Sequence, residues 1–137
     1  MQKLVNTNKI TIILPSLNEE KNILKIFKIL NEKISITNYE ILFVDDGSID
    51  KTREYIKQAC VKYKEVKYLF RENDKDISRA FIAGVEKSES KYIMLMDSDL
   101  QHDPSYVMKF INKIETEGYD MINGSRFLEN SIIFKSI

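Results

Sequence analysis

Two aspartates one residue apart, Asp97 and Asp99, close the apolar run Tyr92 to Met96 in the stretch KYIMLMDSDLQHDP. In extended backbone, residues two apart point to the same side, so these carboxylates converge and Gln101 follows on that side. At about 4 Å, two like charges repel by roughly 4 kcal/mol at an effective dielectric near 20. A divalent cation removes that cost. Hard cations such as Mg²⁺ take few carboxylates, completed by phosphate oxygens and water, and Mn²⁺ accepts similar ligands. The competing reading is a solvated turn in which aspartate simply ends a strand. Position favours the cation, because the pair closes what reads as a buried central strand, beside other polar loops.

Asp45, Asp46, Gly47 and Ser48 also follow an apolar run. An aspartate there can accept a hydrogen bond from a nucleobase N–H or a ribose hydroxyl, and Gly47 permits positive φ. Turn chemistry explains the same residues. In PSLNEE (15–20), helix capping accounts for Asn18, Glu19 and Glu20. Gly124-Ser125-Arg126 places a guanidinium beyond a strand, where it suits bidentate phosphate recognition, although a surface arginine is also ordinary. His102, the single histidine, reads as a polar loop residue rather than a ligand, and Cys60, on an apolar helical face, as core. No nucleophile-with-base arrangement appears, no phosphate-binding G-x-x-x-x-G-K-[ST] loop, and no G-x-G-x-x-G after the first strand.

The elements that must position these residues follow from hydrophobic periodicity. Short apolar runs at 10–14, 39–44, 66–70 and 92–96 read as strands, the third near an edge. Residues 120–124 (DMING) read as a fifth. Between them lie helical stripes: Ile23, Ile26, Phe27, Leu30 and Ile34; Tyr55, Ile56, Ala59, Cys60 and Tyr63; Ile77, Ala80, Phe81, Gly84 and Val85; Val107, Phe110, Ile111 and Ile114. Asn18, Asp50 and Asp103 are the expected caps, the last followed by Pro104 at the first helical position. The order βαβαβαβαβ predicts an α/β fold, a mainly parallel sheet with helices on both faces, in one domain. Ligands of such sheets bind beyond the carboxyl ends of the strands, where strand order reverses. PSLNEE, DDGSID, DSDLQH and GSR all fall on that rim.

Composition narrows the partners. Lys plus Arg and Asp plus Glu are 21 each, and the zero net charge argues against bulk nucleic acid. A single cysteine forms no internal disulfide and fits a reducing, cytoplasmic compartment. No apolar run approaches the roughly 18 residues of a membrane span, and the first ten residues lack the apolar segment of a signal peptide.

Taken in order, IILPSLNEEKNI, ILFVDDGSIDKT, SRAFIAG, YIMLMDSDLQHDP and MINGSRF resemble the inverting family 2 glycosyltransferases of GT-A, Rossmann-like fold. The likeness covers about residues 9 to 128, and Gln-His after D-x-D-L points to the polyprenyl-phosphate branch, the dolichol-phosphate mannose synthases. The resemblance implies a GDP- or UDP-sugar donor, a polyprenyl or dolichyl phosphate acceptor and Mg²⁺ or Mn²⁺. Pro15, Leu17, Glu19, Asp45 and Asp46 would line the nucleotide pocket, with Asp97 beside them. Asp97, Asp99 and Gln101 would hold the metal and the diphosphate, and Arg126 the acceptor phosphate, so that Asp97, Asp99 and Arg126 carry catalysis. The chain departs from the family pattern around Asp76, where relatives often carry glycine, and at Asp103, where they often carry proline. Family members also usually continue well past GSR. Residues 1–137 are therefore expected to be one domain holding the donor half, with peripheral membrane contact or a partner chain supplying the acceptor site. The alternative is a non-catalytic or partner-dependent nucleotide-sugar-binding fragment. A phospho-receiver domain has similar length and βα steps but places its acids after strand one and a lysine after strand five, where this chain has PSLNEE and GSR.

Overall fold

A computed structural model describes residues 10–36, 38–72 and 75–125. Strands β1 (Ile10–Ser16), β2 (Tyr39–Asp45), β3 (Val66–Phe70) and β4 (Tyr92–Leu95) alternate with helices α1 (Ile23–Lys33), α2 (Thr52–Lys62), α3 (Ile77–Lys87) and α4 (Val107–Glu117). The strands form one sheet in the order β3-β2-β1-β4, and every neighbouring pair is parallel. Ile10 faces Tyr39 on one side and Tyr92 on the other, so β1 is the axis of the sheet. Strand order reverses there: β2 and β3 are added on one side and β4 on the other.

Alternation along the strands explains the continuous apolar runs. Ile12, Leu14, Ile41 and Phe43 pack with Ile26, Leu30, Ile56, Val107 and Ile111, from α1, α2 and α4. Ile13, Leu42 and Val44 point to the other face and meet Ala80 of α3. Both faces are thus covered, as a parallel sheet requires, but unequally, three helices against one. Each fully enclosed Ile or Leu contributes about 1.5–3 kcal/mol. α3 approaches β1 closely because Gly84 has no side chain; a Cβ there would lie 2.9 Å from Ile13 Cδ1 and Cγ2. Asp76 caps α3 by accepting from the Ser78 and Arg79 amides, and Asp103 does the same for Ser105 at a 3-10 turn, Pro104–Tyr106, leading into α4. Gly118, at φ 66, ends α4 in the left-handed conformation typical of helix C-termini.

Several expectations are corrected. Among the described residues β4 is the outermost strand rather than a central one, with Ile93 36% and Leu95 43% exposed. Residues 120–124 form no strand: the chain lies against α4, with Gly124 close to Phe110, and Met121 is 79% exposed. These residues pair with none of the described strands, and an unpaired extended segment is not a strand. Ile77 opens α3 at the surface rather than in its buried stripe. The apolar tail beyond Arg126 lies outside the described residues.

Candidate functional site

The peptide groups of β1 alternate in direction. Ile13 carbonyl accepts from the Met96 amide on the β4 side, and Ser16 carbonyl from the Asp46 amide on the β2 side. Pro15 has the parity of Ile13, so its ring nitrogen, which carries no proton, faces β4. The β1–β4 ladder therefore cannot continue, and β4 peels away after Leu95. Ser98 makes the last link: its buried hydroxyl donates to the Pro15 carbonyl at 2.7 Å. The carboxyl ends of β1 and β4 part here, at the strand-order reversal where ligands of such sheets bind, with Asp97 and Asp99 on either side of Ser98 in the chain.

The loop carrying the two acids is not extended. Asp99 Oδ1 accepts from the Gln101 amide at 2.9 Å, an Asx turn, and Leu100 sits at φ 66. This turn folds Gln101 back over Asp99, so the strand-like geometry expected for 97–101 is absent. His102 Nδ1 accepts from the Asp97 amide at 3.0 Å, and its Nε2 lies 3.6 Å from Asp97 Oδ2. His102 is thus a polar loop residue that shapes the turn. Asp97 is half-buried and Asp99 exposed. Their oxygens are hard donors open to solvent, a set that fits a divalent cation completed by phosphate and water. Among the described residues no three carboxylate, imidazole or thiol groups gather into a closed metal cage.

The β2 loop is built around Asp45, which is fully buried. Oδ1 accepts from the Gly47 and Ser48 amides at 3.1 and 3.0 Å and from Arg53 Nε at 2.6 Å, while Oδ2 accepts from the Ser48 hydroxyl. Gly47 takes φ 94, which glycine alone adopts readily. Both oxygens of Asp45 are thus engaged by its own chain. Asp46, also buried, has Arg71 Nη1 3.4 Å from its Oδ1. Arg53 reaches further, to Glu72 and to the Arg71 carbonyl at the end of β3, and its guanidinium lies 4.5 Å from the Phe70 ring centre. Sequence reasoning missed Arg53 and Arg71. The signal was an arginine directly after β3 and another one residue into α2, both beside the DDGS turn.

The β1 and β2 loops are laced together. Asn18 Oδ1 accepts from the Ile49 amide, and Asn18 N–H donates to the Ser48 hydroxyl. Glu19 N–H donates to Thr52 Oγ1, and Glu20 Oε2 accepts from Lys51 N–H. Asn18 therefore ties two loops instead of capping α1, which starts five residues later, at Ile23, behind Asn22. Its φ of 52 suits an asparagine and would disfavour a branched residue. Glu19 Oε2 accepts from Asn22 Nδ2 at 2.8 Å, Leu17 is exposed, and Pro15 is buried at the strand end. Asp50 accepts from the Thr52 amide and hydroxyl and from Glu20 N–H. Burial pushes its carboxyl up, but these bonds outweigh burial and hold it below the ordinary carboxylate range.

Three of the four predicted rim loops, those after β1, β2 and β4, are thus brought together. Arg126 of the fourth lies outside the described residues. A surface concavity lined by Glu54, Lys57, Gln58 and Val61 on α2 carries none of these groups. Among the described residues no helix is long and apolar enough to cross a membrane.

Comparison with known proteins identifies similar chains. The family described as Glycosyl transferase family 2 matches residues 11–135. The dolichol-phosphate mannosyltransferase of Pyrococcus furiosus is 36% identical over 121 residues, 88% of this chain and 34% of that protein. The mannosyltransferase of Pyrobaculum calidifontis, solved in complex with GDP-Man and Mn²⁺, superposes with a TM-score of 0.62 at 17% identity, covering 68% of this chain and 28% of that one. The TarS protein of S. aureus, solved with UDP-GlcNAc, gives 0.67 at 22% identity, covering 80% and 31%. At these identities the solved structures establish the fold, a GT-A glycosyltransferase sheet. The chain spans 34% to 50% of the length of the curated relatives compared with it.

Proposed function

The chain belongs to glycosyl transferase family 2, and on that premise we propose that its rim binds a nucleotide-sugar donor, GDP- or UDP-linked, and serves transfer of the hexose to a polyprenyl phosphate. The observation that carries this reading is the strand-order reversal at β1. The loops after β2 and β4 are each hydrogen-bonded to the carboxyl end of β1 there, and two accessible carboxylates stand beside it. Pro15, Leu17, Glu19 and Asp46 take the nucleoside, with Asp45 holding the turn from within and Asp97 at its edge. Asp97, Asp99 and Gln101 would hold Mg²⁺ or Mn²⁺ together with the diphosphate, and Arg126 would meet the acceptor phosphate. The bound ion supplies positive charge where negative charge builds on the departing nucleoside diphosphate.

A lipid phosphate is anionic at neutral pH, so its oxygen attacks the anomeric carbon while the bond to the diphosphate breaks, and the single displacement inverts configuration. No protein base is needed. His102, engaged with the Asp97 amide, is left to shape the loop. The name of the Pyrococcus relative supports the polyprenyl acceptor, and the ligands in the two solved neighbours support the donor class and the ion. Residues 1–137 are read as one donor-binding domain, and a lipid acceptor implies work at a membrane surface, at its cytoplasmic face.

A second reading is a nucleotide-sugar-binding module that needs a partner for transfer or does not catalyse it. Calorimetric titration with GDP and UDP, with and without Mn²⁺, tests the donor site. Metal-dependent binding is expected, and Asp97→Asn and Asp99→Asn should each remove the metal dependence. Absence of such binding in the wild-type chain refutes the donor site. Sugar transfer to a polyprenyl phosphate by the isolated chain excludes the second reading.

A further inference from the structure

We propose that Ser98 is a positioning residue that couples the metal side of the site to the nucleotide side. The inference rests on the donor-site reading above and deepens it. Ser98 is 3% exposed, and its hydroxyl reaches out of its own loop to the Pro15 carbonyl. The other bonds of the loop, Asp97 N–H to His102 and Gln101 N–H to Asp99, are internal and fix its shape. Leu100 in the left-handed region shows that this shape is held against a backbone preference, which requires a loop over-determined by its contacts. Beyond the last ladder bond, from Met96 N–H to the Ile13 carbonyl, the Ser98 hydroxyl carries the connection to β1.

The consequence is mechanical. Ser98 lies between the two carboxylates, and Pro15 lies two residues before Leu17 on the opposite lip. One hydrogen bond therefore sets the distance and tilt between the lip that holds the nucleoside and the loop that holds the ion. A nucleoside diphosphate with a divalent cation touches both. A nucleotide bound without metal relies on the β1 and β2 lip alone. Loss of the hydroxyl should therefore weaken the first complex and spare the second.

The test measures GDP and UDP affinity by calorimetry, each with and without Mn²⁺, in wild type, Ser98→Ala and Ser98→Thr, with a urea midpoint for each variant. In wild type, the ratio of metal-free to metal-bound dissociation constants reports the coupling. Ser98→Ala should lower that ratio about fivefold or more, the effect of one hydrogen bond, with metal-free affinity unchanged. Ser98→Thr, which keeps the hydroxyl, should retain the wild-type ratio. A purely structural role would instead weaken both affinities in proportion, and that result, or an unchanged ratio in Ser98→Ala, overturns the proposal. Wild-type protein that binds no nucleotide in a metal-dependent way overturns the donor-site reading and this inference together, so the two failures are distinguishable.

Discussion

Arg53→Met removes the cation from a buried carboxylate, its ion-pair partner among the described residues. Asp45 is 0% exposed and holds Arg53 Nε at 2.6 Å, while the Arg53 side chain remains 23% exposed. Breaking a fully buried pair costs about 3–5 kcal/mol, and an exposed pair is worth about 0–1. This pair lies between those limits, and Asp45 keeps the Gly47 and Ser48 donors, so the loss should be about 2–3 kcal/mol. Methionine preserves the apolar stem beside Phe70, which confines the change to the charge and its hydrogen bonds. Out of a typical total of about 5–15 kcal/mol the effect is large. In urea it should lower the midpoint by about 1–2 M without changing the slope. The double variant with Asp45→Asn should be less destabilised than the sum of the single variants by at least about 1 kcal/mol. Glu72, whose side chain is 66% exposed, supplies the control: Glu72→Ala should change stability by no more than about 1 kcal/mol. A loss below about 1 kcal/mol for Arg53→Met, or strict additivity with Asp45→Asn, would refute the view that this pair anchors the β2 loop.

Two further predictions concern the framework. Gly84→Ala drives a methyl into Ile13; overpacking costs about 1–3 kcal/mol, more than the roughly 1 kcal/mol that alanine gains over glycine in a helix, so the melting temperature should fall, and added Ile13→Val should recover part of it. A stabilised Gly84→Ala would show that α3 and β1 are not in close contact. Asp50, with its carboxyl held below the ordinary value, contributes stability that is complete above the unfolded-state pKa of about 3.9 and is lost as pH falls through the lower folded value. The stability difference between wild type and Asp50→Asn should therefore be constant near neutrality and shrink in acid below about pH 4; a difference independent of pH would contradict the hydrogen-bonding assigned to it.

The alternation of strands and helices is legible because each apolar run is short and ended by a residue with a physical reason to stop it: Pro15, Asp45, Asp97. The helical stripes through Ile23, Ile56, Ala80 and Val107 are legible for the same reason. Strand order is not local information. Nothing in YIMLM distinguishes an outer strand from a central one, and only the sheet pairing, with Ile10 facing both Tyr39 and Tyr92, makes β1 internal and β4 outermost among the described residues. Asn18 shows a different limit. Its cap-like position before a helix matches a local rule, but its bond is made to Ile49, 31 residues away. Asp97 and Asp99 are recognisable as a pair, whereas the turn that follows them depends on Leu100 adopting a conformation that leucine rarely takes. Arg53 escaped notice because α2 looks back at the end of β2 only once the sheet has formed.

Pro15 fixes where β1 and β4 part company, so one residue controls the depth of the cleft between their carboxyl ends. Strand residues rise about 3.3 Å each, and a parallel ladder repeats every second residue, so a cleft of this kind can only be lengthened or shortened in steps of about 6.6 Å. A β1 segment that regained its missing proton could zip one step further along its neighbour and draw the acidic turn inward. The same proline two places earlier would excavate a deeper slot. Ligand reach in such a sheet is therefore quantised by the backbone and tuned by imino-acid placement, leaving the side chains to choose what the slot holds.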